Sequence, residues 1–434
     1  MTFDSAFRTF TSPESEFFAK LDWVRQQPLN SMKDSIEVRR DRMVTVSLTV
    51  LCQSFQALSV GGIALLLPII RKDLGLSFAQ GGSLAAATTL VYALMQIPAG
   101  HLSDRFSPKR LFIIGILGST ILGLTFGLVT NYWQALANQA LSGFFRAFLF
   151  SPGMILLTGW FPSNRRATAT GLYLIGGASG SIIFNLLGPI LVARFDWRFS
   201  FISIALVGIV AIFFLMRFGK DPPTVRVRQK RNMLEAFHLF RYKIMWVCGG
   251  IQYIRLGVML GITYWLPSLL IDEKGLSLHL AGFIAAIQVV FMTPPNILGG
   301  YISDRLKNPI LVIGLSLSVI GVTTGLLIIA NKMIYLYALI FINAIFLQMY
   351  FGPLFSVPVE ILGEQKAGIS IGFGNFFANI GGFSTVYLLG ALKDTTGAFE
   401  SGFLVICGAC FVGLVLSFIL ARMRRKAIAP IPFA

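Results

Sequence analysis

Charged residues are scarce in this sequence. Only 13% of its 434 residues are Asp, Glu, Lys or Arg, whereas 55% are hydrophobic. Soluble domains carry roughly 25% charged residues, because their surface must be solvated by water. Together with a mean hydropathy of +0.74, this scarcity excludes an ordinary soluble protein and predicts a protein whose solvent is the lipid bilayer.

Residues that carry catalysis or bind metals are scarcer still. The sequence has 19 acidic residues, 3 His and 4 Cys. No acid lies in the middle of a predicted membrane span, and the C-x-x-C of Cys407 and Cys410 lies in an apolar segment without a nearby His. Without a nucleophile, a metal-ligand cluster or paired carboxylates in the spans, we expect no enzyme, no metal and no cofactor.

Long apolar segments are what the sequence does contain. A span needs about 20 mostly apolar residues, and a helix satisfies its own backbone polar groups in lipid. Twelve segments qualify, and they predict an all-α membrane protein: 43–68, 78–101, 111–130, 133–157, 168–192, 199–217, 244–270, 279–302, 309–330, 333–358, 367–391 and 402–422.

One short motif occurs twice at an offset of 200 residues. Ser103-Asp104-Arg105 returns as Ser303-Asp304-Arg305, and each copy follows an apolar segment that ends in glycine, Gly100 or Gly300. An internal repeat of this kind is typical of transporters built from two related halves. The sequence therefore predicts twelve transmembrane helices in two pseudo-symmetric six-helix bundles.

These spans divide the chain into five parts. We predict an N-terminal arm (1–42), a first bundle (43–217), a linker (218–243), a second bundle (244–422) and a tail (423–434). Within the arm, Thr11-Ser12-Pro13-Glu14 has the pattern of a capping box and favours a short interfacial helix, although a disordered arm is an equal alternative.

Basic residues indicate the orientation. With the N-terminus inside, 27 of the 36 Lys and Arg residues fall in the arm, the linker, the tail and the inner loops. Cytoplasmic loops retain cations, so both termini are predicted to be cytoplasmic. The net charge of +17 then reflects loops beside anionic lipid, not nucleic-acid binding. Short loops and no organelle address favour a bacterial inner membrane.

Twelve spans, a basic central loop and a Gly-x-x-x-Asp-Arg turn after spans two and eight resemble the major facilitator superfamily, and its organic-anion branches in particular. The resemblance covers residues 43–422. It implies a gate in which the aspartate faces a helix N-terminus and the arginine meets an acid. The implied gating residues are Gly100, Asp104, Arg105, Asp304, Arg305 and Glu360, with Glu364 as a further acid. Alternatively, the aspartates only cap tight turns.

Span four departs from this resemblance. Anion:cation symporters of the superfamily often have an acid three residues after the glycine that corresponds to Gly143. Here that position is Arg146, and Asn138 stands where many relatives have a cation. The proton-carrying role of that acid therefore does not transfer to this chain.

Two arginines are predicted to lie within spans, Arg146 in span four and Arg255 in span seven. A buried arginine costs about 2.5–3.5 kcal/mol by insertion scales and keeps its proton, so it is expected to face a cavity or a partner. A guanidinium donates two parallel hydrogen bonds to a carboxylate or phosphate. The pair predicts an anion site between the bundles; snorkelling or pairing with helix carbonyls is the alternative.

Other polar side chains at comparable depth are further candidates for lining this site. Each could instead join two packed helices through a hydrogen bond. The candidates are Gln53, Gln56, Gln252, Tyr253, Asn343, Asn375 and Asn379.

The leading hypothesis is a secondary transporter that moves a small organic anion, a carboxylate or phosphate ester, by alternating access. The expected partners are that substrate, the bilayer, and a coupling proton or counter-anion. Two alternatives stay open: a carrier for a zwitterionic or amphipathic metabolite such as an amino acid, siderophore or drug, and a membrane sensor that does not transport.

Overall fold

The computed structural model describes the backbone of residues 13–161, 166–222, 241–330, 332–363 and 367–428. Within these ranges, side chains are described except at 13–36, 59–60, 97, 101, 104–105, 166–167, 359, 367–369 and 427–428. Most of the predicted linker, Glu364 and the ends of the chain therefore lie outside the described residues.

The described chain is almost entirely helical. The helices of the first half are α1 (Pro13–Leu74), α2 (Phe78–Arg105), α3 (Pro108–Phe126), α4 (Tyr132–Thr158), α5 (Arg166–Arg194) and α6 (Trp197–Phe218). Those of the second half are α7 (Lys243–Ser268), α8 (Leu278–Leu306), α9 (Pro309–Ile329), α10a (Met333–Met349), α10b (Phe351–Leu362), α11 (Ala367–Thr396) and α12 (Glu400–Ile428).

Many of these helices are long and apolar enough to cross a membrane. Ten candidate spans occur among the described residues, with α10a and α10b forming one of them. The other two long helices, α2 and α11, have 28 and 30 residues. Large apolar side chains such as Phe213 and Val322 remain 60% and 62% exposed, as expected of a surface that faces lipid.

Local signals fix where the helices begin. Ser77 and Gln80 form a capping box at the start of α2, with the Gln80 N–H donating to Ser77 Oγ at 3.1 Å and the Ser77 N–H donating to Gln80 Oε1 at 3.0 Å. Pro108 and Pro309 occupy the first turns of α3 and α9, where a missing N–H costs nothing.

The first predicted boundary is not a helix end. Helix α1 runs without a break from Pro13 through position 43 to Leu74, so the end of the predicted arm continues directly into the first span. A proline often ends or kinks a helix, but Pro28 lies within this segment and the helix continues through it. Composition alone therefore does not locate this boundary.

The tenth predicted span, 333–358, is two helices instead of one. Tyr350 lies between α10a and α10b, because Pro353 has no N–H with which to bond the Met349 carbonyl. This carbonyl instead packs directly against Gly299 of α8, where a side chain would overlap it. The break thereby places Tyr350 and Phe351 against α7.

The two halves repeat in detail beyond the sequence motif. Gly75 and Gly275 both adopt positive φ, of 64° and 66°, and are followed by the helix caps Ser77 and Ser277. In addition, Gly180 of α5 contacts the Ser54 carbonyl and Gly381 of α11 contacts the Tyr253 carbonyl. These two glycine contacts make Ser54 of α1 equivalent to Tyr253 of α7. Gln53 is therefore equivalent to Gln252, and Gln56 to Arg255.

The halves meet at the end of the molecule that carries the 75–77, 195–196, 274–277 and 397–399 links, which we call the closed end. Arg71 pairs there with Asp272 at 3.5 Å, and the Tyr264 hydroxyl donates to the Gly81 carbonyl at 2.9 Å. At the opposite, open end, a side chain added at Gly100 or Gly372 would meet no atom within 4 Å. Gly100 of α2 and Gly372 of α11 are therefore not packed closely against another helix.

We expect Gly299→Ala to lower the thermal stability of the protein. The added methyl would overlap the Met349 carbonyl, and overpacking of this kind costs about 1–3 kcal/mol, more than the roughly 1 kcal/mol that alanine gains in helix propensity. Thermal unfolding in detergent measures the effect.

The matched control is Gly300→Ala, one residue further along α8. A Cβ there meets nothing within 4 Å, so the gain in helix propensity should leave its stability equal to or above that of the parent protein. Equal melting temperatures for the two variants would show that the Met349 carbonyl does not constrain α8.

Candidate functional site

A polar cluster in the first half surrounds Arg146. This side chain is half-buried on α4, and the phenol of Tyr92 on α2 lies near enough to interact with it electrostatically. Tyr92 and Gln96 are joined by a side-chain hydrogen bond, and Tyr92 also interacts with Tyr173. The cation therefore lies at one end of a chain of polar groups.

The other end of this chain is Gln53. The hydroxyl of Tyr173 on α5 lies 3.0 Å from Gln53 Oε1 and 2.9 Å from the Leu149 carbonyl. Helices α1, α2, α4 and α5 thus each contribute a polar side chain to the same region of the first half. Gln53 and Arg146, two of the predicted site residues, belong to this region.

Arg255 lies in a corresponding cluster in the second half. Its side chain is 3% exposed, and its Nε donates to Gln252 Oε1 at 2.7 Å. The guanidinium carbon lies 4.8 Å from the ring centre of Phe351, a distance typical of cation–π contacts. Tyr350 is close by, and its buried hydroxyl has no hydrogen-bond partner among the described residues.

Neither arginine has an acidic partner within the described part of the chain. The six ion pairs found there involve other residues: Arg71–Asp272, Arg198–Asp73, Arg198–Asp196, Lys220–Asp41, Lys393–Glu273 and Arg424–Glu360. Each of these pairs has at least one residue at or near a helix end. The contacts described for Arg146 and for Arg255 have no residue in common, so any group that joins the two arginines must come from elsewhere.

Three more predicted residues lie on α7 and α11. The Tyr253 hydroxyl is 2.5 Å from the Ser384 hydroxyl, and Asn379 Nδ2 donates to the Asn375 carbonyl at 2.8 Å. The Tyr253 bond crosses between the helices, whereas the Asn379 bond stays within α11. Both asparagines share this helix with Gly374, which packs against Gln252.

Asn343, one of the predicted site residues, points into the contact between α10a and α9. Asn343 is 1% exposed, and its Nδ2 donates to the hydroxyls of Thr323 at 2.8 Å and Thr324 at 3.1 Å on α9. Asn138 makes the equivalent bond from α4 to the Thr125 hydroxyl on α3 at 2.9 Å. Because both halves contain this bond, we attribute it to helix packing.

Gln56 lines a different space from the polar groups around Arg146. It is 7% exposed and lines a small cavity inside the first half, together with Ser119, Asn138 and Phe201. Its helix position is equivalent to that of Arg255, but the direction in which each side chain points depends on the rotation of its helix.

The predicted gate is only partly visible. The side chains of Asp104 and Arg105 lie outside the described residues, while Asp304 and Arg305 are exposed at the open end. Glu360, the candidate acid for the gate arginines, instead pairs with Arg424 of α12 through bonds of 2.9 and 2.7 Å. In this conformation Arg424 is the partner of Glu360.

Two acids that the sequence did not single out occupy helix N-termini. Asp394 of α11 accepts the Phe78 and Ala79 N–H groups of α2 at 2.8 and 2.6 Å. At the open end, Asp221 accepts the Ser107 hydroxyl at 2.7 Å and the Lys109 N–H at 3.2 Å, at the start of α3. Both contacts join distant parts of the chain, so no local pattern could have revealed them.

We expect Asp394→Asn to weaken the closed end. A carboxylate at a helix N-terminus contributes about 0.3–1 kcal/mol, rising toward 2 kcal/mol when partly buried. The amide keeps the size of the side chain but loses its charge, so the melting temperature in detergent should fall.

Glu400→Gln is the control for this substitution, since Glu400 is an exposed acid in the first turn of α12 at the same end. Its effect on stability should be smaller. Glu400 also gains from the dipole of its own helix, but Asp394 in addition accepts two N–H groups of another helix. If Asp394→Asn and Glu400→Gln changed the melting temperature equally, these two bonds would contribute nothing beyond the ordinary effect of an acid at a helix N-terminus.

The helices, their apolar exposed surfaces and the candidate spans define an integral, multi-pass membrane protein. A family comparison then identifies its class: the Major Facilitator Superfamily matches residues 49–386. The chain belongs to this superfamily, which confirms the resemblance inferred from the motifs.

Two characterised relatives are similar over most of their length. The hexuronate transporter of Bacillus subtilis strain 168 is 24% identical over 413 residues, covering 87% of this chain and 94% of the relative. The D-galactonate transporter of Escherichia coli O6:H1 strain CFT073 is 24% identical over 387 residues, covering 81% and 88%. This chain is thus similar to transporters whose named substrates are sugar acids.

A solved structure confirms the fold. A bacterial homolog of the human lysosomal transporter Spinster, in an inward-facing and occupied conformation, matches with a TM-score of 0.74 at 16% identity. The match covers 89% of this chain and 97% of that one. At this level of identity the likeness concerns the fold alone.

Proposed function

We propose that this protein is a secondary transporter for a small organic anion, a carboxylate or phosphate ester, which it moves across the membrane by alternating access. The superfamily and the relatives support transport of an organic acid. The contacts between the two halves at the closed end, Arg71 with Asp272 and Tyr264 with the Gly81 carbonyl, support a state that is closed at this end, as alternating access requires in one of its two conformations.

The observation that carries the proposal is the absence of an acidic partner for Arg146 and Arg255 among the described ion pairs. An arginine in the membrane interior stays charged, so its counter-charge must come from somewhere. A substrate carboxylate or phosphate supplies that charge and matches the planar guanidinium with two parallel hydrogen bonds. We assign both arginines to the substrate.

The surrounding groups favour a polyhydroxylated acid over a simple one. Gln53 and Gln252 occupy equivalent positions in the two halves. The Tyr173 hydroxyl is bonded to Gln53, and the hydroxyl of Tyr253, the residue after Gln252, is bonded to Ser384. Amide and hydroxyl groups can each both donate and accept hydrogen bonds. They therefore suit the several hydroxyls of a sugar acid, and the sugar-acid class heads our choice of substrates.

In this proposal the termini are cytoplasmic and the protein lies in a bacterial inner membrane, so the open end faces the cytoplasm. The distribution of Lys and Arg supports this orientation. Coupling proceeds either by exchange for a second anion or by symport with a proton that the substrate or a gate residue carries, because Arg146 replaces the acid that many symporters use.

We expect Arg146→Lys and Arg255→Lys each to abolish uptake of a sugar acid into proteoliposomes. Lysine keeps the charge but loses the bidentate geometry, and it also loses its proton more readily in an apolar site. Counterflow of labelled glucuronate or galactonate measures the loss, and a neutral sugar reports whether any carrier function is spared.

Arg217→Lys is the matched control, since Arg217 is an exposed cation at the end of α6 and should leave uptake unchanged. Counterflow that persists in both interior variants would overturn the assignment of the arginines. Binding of the acid without any exchange in the parent protein would instead favour a membrane sensor.

A further inference from the structure

A groove of about 960 Å³ lies on the second half at the open end, away from both arginines of the proposed site. Helix α9 forms one wall and α12 the other, and the α8–α9 link and Glu360 of α10b complete its mouth. The groove therefore runs from the water boundary into the membrane-facing surface of the bundle.

The inner part of the groove is apolar and open to the membrane. Leu311, Leu315 and Phe418 line it and are 51%, 52% and 63% exposed. At its floor, the absence of a side chain on Gly314 leaves α9 close to Leu414 and Ser417 of α12. A narrow apolar channel of this kind fits an extended hydrocarbon chain.

The mouth of the groove is positively charged. Three cations, Lys307, Arg424 and Arg425, line it together with a single acid, Glu360. Glu360 is already paired with Arg424. Lys307 and Arg425 take part in none of the ion pairs between described residues, so the mouth keeps an excess of two positive charges.

Lys307 is held in an unusual backbone conformation. Its φ of 48° and ψ of 28° place it in the left-handed region at the end of α8, where it is the one described residue other than glycine with positive φ. Glycine is the usual residue at this helix-end position because it adopts the conformation without strain. Lys307 thus occupies a position whose backbone conformation is unfavourable for a residue other than glycine, and its side chain lines the mouth of the groove.

The first half shows what the corresponding place normally holds. At the start of α3, the equivalent of α9, the Asp221 carboxylate accepts bonds from Ser107 and Lys109. Asp221 follows α6 by three residues. In the second half, residues 401–434 contain no Asp or Glu. The position three residues after α12, equivalent to Asp221, is Ile431 and has no carboxylate.

We propose that an anionic phospholipid occupies this groove, with its phosphate between Lys307 and Arg425 and one acyl chain along Leu311, Leu315 and Phe418. The lipid phosphate takes the place that Asp221 has in the first half. A phospholipid is the occupant that combines a negative head with a long apolar chain and is present at the boundary between membrane and water. This site is separate from the substrate site and does not depend on it.

Native mass spectrometry of the full chain in neutral detergent tests the proposal. Titration with phosphatidylglycerol should give saturable binding of one lipid, and phosphatidylcholine with the same acyl chains should bind at least about fivefold more weakly. That ratio corresponds to the roughly 1 kcal/mol that one basic residue contributes near an anionic membrane surface. Inorganic phosphate, which lacks the chains, should not displace the lipid.

Lys307→Gly is the decisive variant because it removes the charge and also relieves the left-handed strain. Its melting temperature without lipid should equal or exceed that of the parent protein, while its affinity for phosphatidylglycerol should fall about fivefold. Leu315→Trp, which fills the apolar part, should weaken both lipids. Arg217→Gln, an exposed cation at the open end outside the groove, should change neither.

Three results would each overturn the proposal. These are equal binding of the two lipids by the parent protein, unchanged phosphatidylglycerol affinity in Lys307→Gly, or an equal loss of affinity in Arg217→Gln. The last result would mean that the lipid responds to general surface charge and not to the groove.

Discussion

The structure depends on one constraint: inside the bilayer there is no water to satisfy a polar group, so the protein or a ligand must do so. Backbone groups meet this constraint through helices, and where Pro353 removes a bond, the released Met349 carbonyl packs against Gly299. Interior amides meet it through hydrogen bonds such as those of Asn138 and Asn343. Against this background, an interior charge without an acidic partner among the described ion pairs is informative, because an unpaired charge is far more costly in a bilayer than an unpaired hydroxyl or amide.

Departures from the internal repeat locate function better than the repeat itself. Features found in both halves, such as the amide bonds from α4 to α3 and from α10a to α9, hold the bundles together. Arg255 has no cationic equivalent in the first half, where its position is Gln56, and Asp221 has no acidic equivalent in the tail. Arg146 and Arg255 lie at different positions of the two halves, on α4 and α7, and neither is in an ion pair between described residues. We relate the two arginines to a substrate anion and the missing acid to a lipid phosphate.

The sequence predicted the helices well, whereas the contacts of the candidate site residues depend on the fold. Hydropathy and the repeated motif were sufficient to predict the spans, because both are visible along the chain without knowledge of its three-dimensional contacts. The break at Tyr350 was accessible in principle, since Pro353 is visible in the sequence, but a proline inside a span often leaves the helix continuous, as at Pro98 and Pro152. The sequence does not show where the side chains of Gln56 and Asn343 point, because this depends on how far each helix is rotated about its own axis. The contacts of Asp394 and Asp221 join residues that are far apart in the sequence, and only the fold brings them together.

Helix α10b contributes to two of the regions described above, the surroundings of Arg255 and the mouth of the groove. Its first residue, Phe351, covers Arg255, and Glu360 near its other end pairs with Arg424 at the mouth of the groove. The helix has only 12 residues, so Phe351 and Glu360 lie little more than two turns apart on one continuous segment. The substrate site and the lipid groove that we propose are separate sites with no residue in common, yet each has one of its side chains on this short helix. The same segment thus meets the constraint of the bilayer in two ways, with an aromatic ring over the interior cation and with an ion pair at the water boundary.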